Sequence, residues 1–176
     1  MLKRLPEIHN IVPVFAVIVA VVYGWSIFAF FWKTPSWLFF LQINEIFVIV
    51  AYTLIVNFLG SLLFLGFLLF FCLILPSQYF KDNFIVQGGL VSLFVLGSVA
   101  LYINRYSEYN IDFLKYLPIW SFITVVAVVF TSFFAPKVLF IRQGILWIAD
   151  RLVIFLYILI PLSVFSLVVV VFRNIL

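Results

Sequence analysis

His9 is the only histidine and Cys72 the only cysteine in 176 residues, and 9% of the chain is charged. Each shortage excludes a chemistry. A membrane zinc protease needs two histidines and a glutamate as H-E-x-x-H, and a bis-histidine haem needs two axial imidazoles. A serine or cysteine nucleophile needs a base within reach. Ser61, Ser92 and Ser163 lie in apolar runs without histidine, and Cys72 has no base near it in sequence. A single cysteine forms no intrachain disulfide. No G-x-x-x-x-G-K-[ST] and no G-x-G-x-x-G occurs, and no helix-spaced carboxylate pair suits a lipid-transferase metal site. The sequence therefore predicts a chain that is not an enzyme and carries no cofactor.

What is abundant is apolar surface. Hydrophobic residues make up 68% of the chain and the mean hydropathy is +1.36. Soluble domains are about 45–50% apolar and about 25% charged. A water-soluble fold of this size cannot hide so much apolar surface, because folded chains keep a large outer shell. The expected medium is a bilayer, with lipid as the surrounding partner. The net charge of +4 comes from cations scattered singly between apolar runs. That distribution suits orientation signals and headgroup contacts, and no nucleic-acid partner is expected.

Five runs approach the roughly 20 apolar residues a hydrocarbon core requires: 11–32, 37–75, 85–103, 119–135 and 152–172. They are apolar on all sides, whereas barrel strands alternate. The fold class predicted is all-α, a polytopic transmembrane bundle of about five spans forming one domain over residues 1–176. The first run follows Lys3 and Arg4 but exceeds a signal core and lacks a small-x-small cleavage site, so it is read as a retained span.

The second run would reach about 58 Å as one straight helix at 1.5 Å per residue. Thr34 and Pro35 suit an N-cap and first-turn proline. They predict an interfacial lead-in through "SWLFFLQINE" before a single crossing. The alternative is a re-entrant hairpin broken at "NFLGS". A second interfacial lead-in is predicted in "KVLFIRQGILWIADR", ahead of a last span that Pro161 kinks. With the N-terminus inside, six cations (Lys3, Arg4, Lys81, Lys137, Arg142, Arg151) fall inside. Four (Lys33, Arg105, Lys115, Arg173) fall outside. The positive-inside rule favours a cytoplasmic N-terminus in a cell membrane.

Two patterns stand out as candidate sites. At 100° per residue, Gln42, Glu45, Tyr52, Thr53, Asn57, Gly60 and Ser61 share about half the circumference of the second helix. A polar stripe is costly against lipid, so it is expected to face other helices or a hydrated path. Glu45 is expected to head this buried face and to pair with Lys33 or Arg105. Small residues repeat every fourth position at Ala16, Ala20 and Gly24 in the first span and at Ala127, Thr131 and Ala135 in the fourth. Such repeats let helix backbones approach. Gly88 with Ser92 and Gly89 with Gly97 add similar spacings in the third, and Asp150 with Arg151 suggests a local ion pair. Together these features predict a non-catalytic bundle subunit or scaffold, self-associated or joined to other membrane-protein subunits. A small oligomeric channel or transporter using the polar stripe is the alternative.

Overall fold

A computed structural model describes residues 6–74, 83–106, 113–134 and 137–175. Among them every regular element is helical: α1 (Ile8–Phe40), α2 (Ile43–Ile74), α3 (Phe84–Tyr106), α4 (Phe113–Phe134) and α5 (Leu139–Ile175). All five are long and apolar enough to cross a membrane. The cations Lys3, Arg4 and Lys81, together with Gln78, Asp82 and Ala135, lie outside the described residues.

Helix boundaries correct the sequence in two places. No helix starts at Thr34. The Thr34 hydroxyl donates to the Phe30 carbonyl at 2.7 Å, and α1 runs through Pro35 to Phe40. A proline lacks the donor for one intrahelical bond, but membrane helices absorb that loss through neighbouring groups and local adjustment. The stretch expected as a lead-in therefore splits between the end of α1 and the start of α2, across a turn at Leu41 and Gln42. Likewise α5 is one helix of 37 residues, and "KVLFIRQGILWIADR" supplies its first turns rather than a separate element. Helix α2 is continuous through "NFLGS", so a single crossing replaces the re-entrant alternative.

α1 is the axis of the bundle. Val14, Ala16, Val17, Ile18, Val19 and Tyr23 are buried, covering every side of the helix. A helix apolar all round is enclosed by protein neighbours or by lipid. Here α2, α3 and α5 all pack against it. Val14, Ile18, Leu68, Cys72 and Phe84 form one core cluster with α2 and α3. Ala16, Val19, Tyr23 and Leu156 form a second with α5. In α5 the inward positions Ile145, Ala149, Leu152, Leu156, Leu159, Ser163 and Ser166 step alternately by four and three residues. That heptad spacing keeps one seam facing its partners.

α4 is peripheral, with no buried side chain among those described, and packs mainly on α3. Polar clips fix that antiparallel pair along its length. Gln87 Nε2 donates to the Ser132 carbonyl at 3.3 Å. Trp120 Nε1 donates to Ser98 Oγ at 2.8 Å, and Ser98 Oγ meets Thr124 Oγ1 at 2.6 Å. Tyr102 donates its hydroxyl to the Phe113 carbonyl.

Of the glycines, Gly88 is the most tightly packed. A Cβ there would come within 3.1 Å of Val14 Cγ1, whereas one at Gly66 would meet nothing within 4 Å. Gly88→Leu should overpack the α1–α3 contact and cost about 1–3 kcal/mol, while Gly66→Leu should be nearly neutral. Thermal unfolding of the two variants in one detergent checks this.

Candidate functional site

The polar stripe of α2 divides into an exposed end and a buried middle. Gln42 and Glu45 lie at the open end, Glu45 exposed and Gln42 at the turn that precedes the helix. Gln42 is the N-cap: its carbonyl accepts from the Glu45 amide at 3.0 Å and the Ile46 amide at 3.2 Å. The Glu45 carboxylate reaches back and accepts from the Gln42 backbone N–H at 2.8 Å. This is the return half of a capping box, and it also places negative charge at the positive end of the helix dipole. The expected burial of Glu45 and its pairing with Lys33 or Arg105 are replaced by this local role. A carboxylate heads the apolar segment because an N-terminal turn has N–H groups without helical acceptors.

Further along the helix, Tyr52 is exposed and Thr53 half-buried, its hydroxyl donating to the Ile49 carbonyl at 2.8 Å. Asn57 is buried, and its Oδ1 accepts from Ser26 Oγ of α1 at 2.9 Å. Ser61 is completely buried, and its hydroxyl has no hydrogen-bond partner among the described residues. Leu54, in the same stretch, offers its carbonyl to the Tyr23 hydroxyl at 3.3 Å. That hydroxyl also lies 2.6 Å from Ser163 Oγ of α5, and Ser163 in turn donates to the Leu159 carbonyl at 2.8 Å. One tyrosine oxygen thus joins α1, α2 and α5.

Tyr23, Ser26 and Ser163 carry the most informative contacts, and sequence reasoning misses all three. A tyrosine or serine singly placed in an apolar run shows no periodic signal. Asn57 and Ser61 are identifiable because they repeat on one face of α2.

The small-residue sites are dispersed. Ala16 is buried against α5, Ala20 is half-buried, and Gly24 is exposed, with nothing within 4 Å of where a Cβ would sit. Ala127 and Thr131 are half-buried, with the Thr131 hydroxyl donating to the Ala127 carbonyl at 2.7 Å. Asp150 and Arg151 are both exposed. Instead of the expected ion pair, the Arg151 guanidinium lies 5.6 Å from the Trp147 ring centroid, a cation–π distance. No cluster of three or more His, Cys, Asp or Glu side chains that could hold a metal ion occurs among the described residues.

An open groove on the outside of α2 is lined by Val48, Ile49, Tyr52, Thr53, Val56 and Asn57. Its walls are aliphatic, and its polar groups are the Tyr52 and Thr53 hydroxyls and the Asn57 carboxamide. With the oxygen of Asn57 engaged by Ser26, the side-chain NH2 donates to no described residue.

The two ends of the stripe should respond differently to substitution. Ser26→Ala strands the Asn57 oxygen and should cost about 1 kcal/mol, the scale of polar contacts between membrane helices. Glu45→Gln should cost only a few tenths, because an amide can still complete a capping box. Equilibrium unfolding in mixed micelles measures both.

No family model matches the chain, and no curated protein or solved structure matches it, so its function is read from its own side chains.

Proposed function

We propose that the chain is a non-catalytic helical-bundle subunit of a membrane complex, with the groove on α2 receiving a helix from a second copy or another membrane protein. The observation carrying this reading is the position of the groove. In a bilayer the inner end of its open side faces acyl chains, where the Asn57 NH2 would find no acceptor. Unsatisfied polar groups are costly against lipid and are normally turned toward protein. A neighbouring helix would cover them and supply acceptors.

Small residues at the same level support the reading. The Ser26–Asn57 bond sets the antiparallel register of α1 and α2, and this register brings Gly24 level with Gly60. Both glycines are exposed, and neither has an atom within 4 Å of where a Cβ would sit. Such positions let a second backbone approach closely.

A path for ions or solutes along the stripe is less well supported. Its inner half is spent on contacts between helices, with Asn57 bonded to Ser26 and Ser61 enclosed. Its one carboxylate is engaged in a cap.

Val56→Trp and Gly24→Leu should leave the single chain folded, since both positions are exposed, but reduce the native mass in mild detergent to one chain. A wild-type mass already corresponding to one chain would contradict the proposal. So would a liposome cation leak lost in Glu45→Gln at unchanged mass, which would favour the pathway reading.

A further inference from the structure

At one level of the bundle every helix carries an aromatic or cationic side chain. Val14 of α1 lies against Gly88 of α3, and the two helices run in the same direction. Trp32 is as far beyond Val14 as Tyr106 is beyond Gly88, so Trp32–Lys33 and Arg105–Tyr106 are level. Tyr106 stacks on Tyr116 of α4 with ring centroids 5.5 Å apart, and Lys115 lies 5.5 Å from the Tyr116 centroid. Tyr52 of α2 is brought to the same height by the Ser26–Asn57 register. Its hydroxyl accepts from Asn174 Nδ2 of α5 at 3.3 Å, beside Arg173. Aromatic rings and cations collect where hydrocarbon gives way to headgroups. This belt marks that boundary on the side opposite the start of α1.

Among the described residues, only the α1–α2 hairpin continues well past the belt. Its tip, residues 36–47, is strongly apolar and open: Leu38 is 60% exposed, Phe39 84%, Phe40 85%, Ile43 69% and Phe47 70%. A straight α1 places Phe40 about 12 Å beyond Trp32 at 1.5 Å per residue. The headgroup layer on one side is only about 5–7 Å deep. An upright, straight hairpin would therefore hold Leu38, Phe39, Phe40 and Ile43 in water.

We propose that this tip is a lipid-embedded element, lying in the headgroup–acyl boundary beside the bundle. Three features select lipid over a protein partner. Leu38, Phe39 and Phe40 are consecutive on a helix and point in three directions, while Ile43 and Phe47 project from the other arm. No single face is apolar, so a surrounding medium fits better than a flat surface. No glycine, alanine or serine occurs between residues 37 and 50, so close helix packing has no foothold. The apolar surface is also continuous with the outer face of the span through Ile27, Phe28, Phe31 and Trp32, all exposed.

The means of reaching lipid is built in at the belt. Pro35 lacks the N–H that would bond to Phe31, and Thr34 bonds back to the Phe30 carbonyl. Both features bend helices. A bend there, or a tilt of the long hairpin, lowers the tip toward the membrane surface. Glu45 is the tip's one carboxylate and is occupied by the Gln42 cap.

The test uses the full chain in phosphatidylcholine vesicles, with Cys72→Ala and a single environment-sensitive label at Phe40→Cys. Val126→Cys, exposed on α4, serves as the acyl-chain reference, and Phe47→Cys repeats the measurement from α2. Lipids brominated near the carbonyl end should quench both tip labels at least half as strongly as bromolipid quenches the reference. Aqueous iodide should quench them less than twofold. Strong iodide quenching without bromolipid quenching would place the tip in water and overturn the proposal. Protection from both quenchers, with Phe40→Cys chains cross-linking as disulfide dimers before labelling, would assign the tip to a second copy and also overturn it.

Discussion

The hydroxyl of Tyr23 is the point at which α1, α2 and α5 are tied together, and the arrangement of the bundle follows from how it is accommodated. Tyrosine brings a large apolar ring and one polar atom, and a buried hydroxyl in an apolar medium must find a partner. Here it has Ser163 Oγ at 2.6 Å and the Leu54 carbonyl at 3.3 Å. The single hydroxyl proton is shared between these two acceptors, and keeping both within reach fixes the rotation of α5 and α2 about α1. Apolar packing between membrane helices is weakly directional, since lipid competes for the same surface. Position-specific polar contacts therefore carry much of the specificity. The Ser26–Asn57 bond and the close approach of Val14 to Gly88 set register on the other sides of α1.

Polar groups in the bundle are mostly used locally. The hydroxyls of Thr53, Ser92, Thr131 and Ser166 each donate to the carbonyl four residues back. A serine or threonine that closes on its own helix needs no water and no ligand. The exceptions are more informative. Tyr23 with Ser163 and Ser26 with Asn57 bridge helices, and the Tyr52–Thr53–Asn57 groove opens outward. Unpaired polarity thus lies both inside the bundle, at Ser61 Oγ and Gln87 Oε1, and at the Asn57 NH2 in the α2 groove.

The spans are legible in the sequence because about twenty consecutive apolar residues leave little choice of structure in a bilayer. Their boundaries are not. Thr34 and Pro35 have the composition of a helix start, yet α1 passes through them, and the true start lies at Gln42 with Glu45 as its return cap. Helical periodicity groups the same Glu45 with a buried stripe, because it places a residue on a face without giving its depth. Asn57 and Ser61 share that face and lie far from the helix ends, and both are buried. Tyr23, Ser26 and Ser163 give no warning. Their importance comes from meeting their partners across 31 to 140 residues of sequence, a relation no local pattern encodes.

The Tyr23–Ser163 contact is the polar tie on which the three-helix core depends. A double-mutant cycle with Tyr23→Phe, Ser163→Ala and the pair, measured by equilibrium unfolding in mixed micelles, isolates that contact from the loss of each group alone. The expected coupling is about 1 kcal/mol, toward the upper part of the range for polar contacts between membrane helices. Additive single-mutant effects, with coupling near zero, would contradict it.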